Sequence, residues 1–456
     1  MVFELVSAEI FILIGAIIFI GFLSLLFFER TKVPDVLILI FLGMLLTPFM
    51  SFISGGKILI DKELFAGFAP VLGVIALIII LFDGGFNLNI FRVLTEVSTA
   101  TWFTALNFLF TISLVSVFLL ILNWPFLEAL LMGAVVGGSS SSIVLSMLSK
   151  TSAKEDTKTI LSLESALTDA LVIISAFVVA SMIESGGDIT AKGVATLFFG
   201  SFSIAAVIAV IVSILWIRVL HKFKDMPFSY MLSIAVIFLT YGFVDSVGGN
   251  GVVAILVFGL MLGNWNHIAR FLRLDEQIPF DKIFRTFQSE VTFFVRTFYF
   301  VYMGIVFNFG KLLQNPVLIL YSVMIVVLLV IARFMGTSIL NFFNRQTSCD
   351  RLLLTTMMPR GLAAAVLATV FSVPMVAASE GGQAVAIGSG IISFPYFGEV
   401  VFLVILLTNI VATVGFYLFE RKVCDVGFTG SKEVESMNED ALTPSKKPKI
   451  LEQRRV

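Results

Sequence analysis

Apolar runs of about 20 residues recur along the chain from Ala8 to Phe419, divided by short stretches marked by charge, glycine or proline. A helix of that length rises about 30 Å, the thickness of a bilayer's hydrocarbon core. A soluble fold has no interior able to hide so many such segments. Composition agrees, with 58% hydrophobic and 13% charged residues and a mean hydropathy of +1.04, where soluble domains carry about 25% charged residues. The chain therefore reads as an all-α membrane protein. The run Ile10 to Phe28 has no basic stretch before it and no small-residue cleavage site after it, so it is expected to be a retained span.

Several function classes fall away. A net charge of −1 gives no general attraction to nucleic acid. Cys349 and Cys424 sit near expected cytoplasmic ends and define neither a disulfide framework nor a metal site. His221 and His267 lie in expected loops beside basic residues, where solvation is their expected role. No catalytic triad, phosphate loop or cofactor motif occurs, so neither an enzyme nor a cofactor is expected. The 48 phenylalanines read as lipid-facing bulk.

The segmentation places spans near 8–29, 34–54, 65–86, 98–122, 125–149, 157–183, 193–220, 228–246, 248–264, 289–309, 316–343, 352–379 and 397–420. The weakest boundary is at Gly248-Gly249-Asn250, and dropping it would leave twelve spans. Loop charge argues for thirteen. With the N-terminus outside, seventeen basic residues fall on inside loops, among them Arg30, Lys150, Arg218, Arg285 and Arg351. Only Lys57, Lys62, Lys192 and Lys311 fall outside. Residues 1–420 are thus expected to form one thirteen-span domain in the cell membrane, N-terminus out and C-terminus cytoplasmic. Residues 421–456 are expected to be a short, polar, disordered cytoplasmic tail.

That orientation makes the first six spans an inverted copy of the last six, an arrangement common in secondary transporters, whose sites lie where irregular helices cross near the midplane. The fifth span carries Gly137-Gly138-Ser139-Ser140-Ser141-Ser142 and the twelfth Pro359-Arg360-Gly361. Glycine, proline and serine all weaken a helix interior, so both spans are expected to break and cross, each being fifth in its repeat. Ordinary small-residue helix packing is the plainer alternative.

A charge at mid-bilayer costs on the order of 3 kcal/mol and needs a partner or a job. In LESALTD, Ser165 and Asp169 are four apart on one helix face, while Glu164 and Thr168 share a neighbouring face. Carboxylate and hydroxyl together suit a dehydrated hard cation, and the serine run, Ser139 and Ser140 included, would supply further oxygens. Arg360 needs an anion, and a Glu164–Arg360 ion pair is expected, leaving Asp169 as the titratable group. A purely structural carboxylate satisfied by hydroxyls is the alternative for Asp169. Asp83 is expected to cap or gate near the cytoplasmic end of the third span. Arg296 is expected to pair with a carboxylate or line the inner cavity, and Arg333 to snorkel.

These residues resemble the monovalent cation/proton antiporter family, which includes the sodium/proton exchangers. Five stretches carry the resemblance in order over about residues 8–420: ILFDGGFNLN, LESALTD, GGNGVVAILVFGLMLGN, SEVTFFVRTFYFVYMG and MMPRGLAAAVLATV. The resemblance implies a thirteen-span fold, a membrane homodimer and elevator-like movement of a core holding the crossed fifth and twelfth helices. It also implies that Asp169 binds ion and proton, that Ser165 is a neighbouring ligand, and that Glu164 and Arg360 form a stabilising pair. Two positions depart from the pattern. Thr168 stands where electroneutral exchangers usually carry Asn and electrogenic ones Asp, and the serine run stands where sodium exchangers commonly have Thr-Asp-Pro.

The serine run is similar to potassium/proton members, while LESALTD and PRGLAAAVLA look closest to the prokaryotic sodium/proton branch. The expected activity is therefore exchange of Na+ or Li+ for H+, one for one, with K+/H+ exchange as the alternative. One aspartate would hold either proton or cation, and no metal other than the transported ion is expected. A channel lacks a repeated filter-like motif here. A sensor lacks an output domain, since the tail from Val423 is too short to be one.

Overall fold

The computed structural model describes residues 2–53, 62–88, 99–184, 198–223, 231–271, 280–307, 312, 314–343, 348–372, 376–377, 385–386 and 396–442. Helices occupy nearly all of it. They are α1 (Val2–Thr31), α2 (Asp35–Ile53), α3 (Lys62–Asn87), α4 (Thr99–Ile121), α5 (Phe126–Val135), α6 (Ser141–Leu148) and α7 (Glu155–Glu184). A π-helical turn, Phe198–Phe202, leads into α8 (Ser203–Lys222), followed by α9 (Met231–Ser246), α10 (Gly251–Gly263), α11 (Trp265–Phe271) and α12 (Phe280–Val306). The last are α13 (Val317–Phe343), α14 (Ser348–Thr356), α15 (Leu362–Ser372) and α16 (Phe397–Leu442). A two-stranded antiparallel pair joins Val376 to Ala386 and Ala377 to Val385.

Six helical segments among the described residues are long and apolar enough to cross a membrane: Ile14–Thr31, Thr99–Ile121, Glu155–Ile183, Gly200–Lys222, Val317–Phe342 and Phe397–Arg421. Shorter apolar helices lie between them. Large apolar side chains such as Phe19, Trp102, Val207 and Leu320 face outward, a surface suited to hydrocarbon rather than water. The boundary at Gly248-Gly249-Asn250 separates α9 from α10: the Asn250 side chain caps α10 by accepting a hydrogen bond from the Val253 N–H at 3.1 Å. The last helix runs on to Leu442, past residue 420 where the sequence placed the start of the tail. Residues 443–456 lie outside the described residues, as do Lys57, Arg92, Lys192 and Lys311 of the loop-charge argument.

The helices pack as two sets. One comprises α1, α2, α3, α8, α9, α10 and α12; the other comprises α4 to α7 with α13 to α16. They meet where α3 lies along α15 and α7, and where α12 reaches α15. At that seam the Tyr299 hydroxyl of α12 donates to Thr369 Oγ1 of α15 at 2.6 Å. Within the second set, the connection from α6 to α7 is tied down by Glu420, which accepts from the Thr151 hydroxyl at 2.7 Å and the Ser152 N–H at 3.0 Å.

Candidate ion site

Two stretches of the second set leave the helix and meet. After α5 the chain turns out at Val136 and re-enters helix at Ser141; after α14 it turns out at Met357 and re-enters at Leu362. Serines in the first stretch and Pro359 in the second explain the loss of helix. Freed backbone groups in an apolar interior must find partners. The Ser140 N–H donates to the Pro359 carbonyl at 2.8 Å. The Arg360 N–H donates to Thr408 Oγ1 at 3.2 Å, and the Asn409 amide donates to the Arg360 carbonyl at 2.8 Å. Thr408 and Asn409 of α16 thus hold the second stretch by its backbone.

Glycine permits the close approach. A Cβ on Gly361 would press into the Ser140 side chain, 2.5 Å from its Cβ; one on Gly138 would lie 2.5 Å from Val172 Cγ2 and 2.9 Å from the Thr168 carbonyl. The first stretch therefore rests directly on α7, the helix of Glu164 and Asp169.

Glu164 is 1% exposed and bound from two sides. Arg333 of α13 grips it with both ends of the guanidinium, Nη1 to Oε1 at 2.7 Å and Nη2 to Oε2 at 3.1 Å. The Ser139 hydroxyl donates to Oε2 at 2.9 Å. Arg333 also donates to the Leu354 and Met357 carbonyls at the end of α14, at 2.8 and 2.6 Å, and its guanidinium lies 5.2 Å from the centre of the Phe103 ring.

This corrects two expectations. Glu164 pairs with Arg333, not Arg360, and Arg333 does not snorkel, being only 4% exposed. The expectation chose Glu164 as the nearest anion for Arg360 in the apolar interior, but α13 packs across α4 and α14 and brings Arg333 to Glu164 first. Arg360 is also buried; its Nη1 stands 3.5 Å from the Met358 carbonyl, and its Nε has no hydrogen-bond partner among the described residues.

Asp169 is partly exposed, and its Oδ2 accepts the N–H of Ser141, the first residue of α6, at 3.1 Å. Thr168 Oγ1 accepts the Ser139 N–H at 3.2 Å and stands 3.4 Å from the Ser139 carbonyl and 3.2 Å from the Ser165 carbonyl. Ser165 is buried and donates to the Ser162 carbonyl one turn back at 3.2 Å. The Ser140 and Ser142 hydroxyls lie 3.2 Å apart. The structure thus gathers Asp169, Thr168, Ser165, Ser139 and Ser140 around one junction of α5, α6 and α7. Ser139 and Thr168 bond each other, Ser139 also serves Glu164, and Ser141 bonds Asp169.

Arg296 takes one of its two expected roles, pairing with a carboxylate, and Asp83 bonds within its own helix. Asp83 accepts from Asn87 of its own helix at 3.0 Å. Arg296 of α12 pairs with Asp35 at the start of α2 at 2.6 Å, both largely buried. Sequence reading offered Ser141 only as one hydroxyl of the serine run, not for its N–H, and it missed Asp35, Thr408 and Asn409. The polar pair Thr408-Asn409 inside an otherwise apolar run was the available signal for the last two.

Residues 10–420 match the transmembrane domain of the sodium/hydrogen exchanger family, and the chain belongs to that family of monovalent cation/proton antiporters. It is a multi-pass membrane protein and a secondary transporter, not an enzyme. Among its relatives, a Na+/H+ antiporter of Methanocaldococcus jannaschii is 24% identical over 310 residues, 64% of this chain and 67% of its own. A K+/H+ antiporter of Shewanella oneidensis is 28% identical over 266 residues, 57% of this chain. The match covers 44% of that relative, less than half its length. The solved structure of a sodium proton antiporter from Methanocaldococcus jannaschii at pH 8 superposes with a TM-score of 0.68 at 20% identity, covering 91% of this chain and 99% of that one. That likeness shows a shared fold.

Proposed function

We propose that the chain exchanges Na+ or Li+ for H+ across the cell membrane, one for one and without net charge movement, with Asp169 holding either proton or cation. The observation that carries this reading is the division of labour between two carboxylates five residues apart on α7. Glu164 is neutralised by Arg333 and sealed, whereas Asp169 is partly exposed and, among the described residues, bonded only to the neutral Ser141. One shared carboxylate makes the two substrates compete, and competition at a site that moves only when neutralised is exchange.

The two packed sets support an elevator in which α4 to α7 and α13 to α16 travel as one body, since the junction around Asp169 lies wholly within that set. With it we propose thirteen spans in two inverted repeats, crossed fifth and twelfth spans, an outside N-terminus, a cytoplasmic tail and a homodimer in lipid.

A second reading, K+/H+ exchange, is favoured by one feature. The Ser141 N–H occupies one oxygen of Asp169 and weakens the anionic field that small cations prefer. The test of both is exchange in proteoliposomes followed with a pH-sensitive dye, adding Na+, Li+ or K+ separately. Proton movement driven by Na+ and Li+ supports the first reading, a response to K+ alone supports the second, and no response to any of them refutes antiport.

A further inference from the structure

We propose that Ser141 is a specificity-determining residue, its backbone N–H holding Oδ2 of Asp169 so that the carboxylate meets the transported cation through Oδ1 alone. The proposal rests on the reading of Asp169 as the ion-binding group and adds to it what sets the choice among cations.

The attraction between a cation and an anionic oxygen grows as their separation shrinks, so a concentrated carboxylate charge rewards Li+ and Na+ over K+. The number and field strength of the coordinating oxygens then decide how much of that advantage is realised. A carboxylate free on both sides can close on a small ion with two charged oxygens. At Asp169 one oxygen already accepts a hydrogen bond at 3.1 Å, which diverts negative charge from the ion. Neutral hydroxyls of the serine run, with Ser140 and Ser142 Oγ 3.2 Å apart, are the remaining oxygens at hand. They discriminate less between small and large cations than charged oxygens do.

The local backbone makes the hydrogen bond removable without disturbing the helix. Ser141 is the first residue of α6, the position where proline is best tolerated because its missing N–H is not needed by the helix. Ser140, with φ −73° and ψ 117°, already has the extended conformation that a residue before proline adopts. The Ser141 hydroxyl also bears on Asp169 beside the N–H; S141P therefore deletes both and leaves the α6 ladder whole, whereas S141A deletes the hydroxyl alone and keeps the N–H.

The experiment measures apparent affinities for Li+ and K+ in two ways on each full-length variant: exchange in proteoliposomes, and stabilisation of the detergent-solubilised protein against heat by LiCl or KCl. S141P is expected to raise the Li+ to K+ affinity ratio about tenfold, the effect of one hydrogen bond to a charged group, and S141A, which keeps the N–H, to raise it clearly less. An unchanged or lowered ratio in S141P overturns the proposal, as does an equal rise in S141A, which would assign the effect to the hydroxyl. Should S141P not fold, the α-hydroxy acid analogue of serine at position 141 replaces the N–H by an ester oxygen, and the same rise or its absence decides. If wild-type protein exchanges no cation, the antiport reading fails, and the ratio from heat stabilisation still supports or overturns the role of Ser141.

Discussion

Glu164 and Arg333 face each other fork to fork, with contacts of 2.7 and 3.1 Å, and the same guanidinium holds the carbonyls of Leu354 and Met357. One side chain thereby fastens α7 to the end of α14. Removing one member strands the other charge in an apolar interior, which costs about 3–5 kcal/mol. E164Q and R333L are each expected to lower thermal stability by that order, and the double variant to lose much less than the sum. R360L combined with E164Q is expected to be closer to additive. Thermal melts of the three single and two double variants in one detergent check both statements.

Asp169→Asn keeps the shape of the site and removes the group that accepts proton or cation. The variant is expected to reach the membrane and melt near the wild-type temperature, yet show no cation-driven proton movement in proteoliposomes. Retained exchange would remove Asp169 from the centre of the mechanism.

Competition for one carboxylate fixes the sign of the pH dependence. A proton on Asp169 excludes the cation, so acidification weakens cation binding. In the acid limb the apparent KM for cation is expected to rise about tenfold per pH unit lost, as mass action at a shared site requires, and saturating cation should recover the rate. A maximal rate that falls with pH while KM stays constant would contradict a shared site.

Thr408 and Asn409 serve the backbone of Arg360 and, among the described residues, hydrogen-bond to no proposed ion ligand. T408V and N409L each leave a buried backbone group unsatisfied, at a cost of about 1–3 kcal/mol. Their melts are expected to drop accordingly, with the Li+ to K+ preference unchanged. A shift in preference would place α16 within the ion site itself.

Much of this arrangement is legible in the amino-acid sequence alone, because its strongest signals are local. Gly137-Gly138 with its serines, and Pro359 with Gly361, announce the ends of helix by their own backbone preferences. A carboxylate four residues from a serine announces a shared face. The partner of Glu164 is not legible that way. Arg333 lies in VIARFMG, a lone charge in an apolar run, and nothing local distinguishes it from an arginine reaching for the membrane surface. Its role is set by how α13 is rotated against α7, a tertiary fact. The serine run poses the same difficulty at finer scale: four identical residues stand in a row, and only the point at which helix restarts decides that the N–H of Ser141 faces Asp169. Asp35, directly after Pro34, reads as a loop charge until α12 is packed beside it.

The bond from Ser140 to Pro359, reinforced by the bare Cα of Gly361 against the Ser140 side chain, draws its two sides from opposite halves of the chain. A chimera that joins the N-terminal half of this protein to the C-terminal half of a relative would therefore be cut through a closely confined contact at the crossing, however well the other helices matched. Swapping 136–141 and 357–361 together is the smallest graft that keeps both sides native to one another.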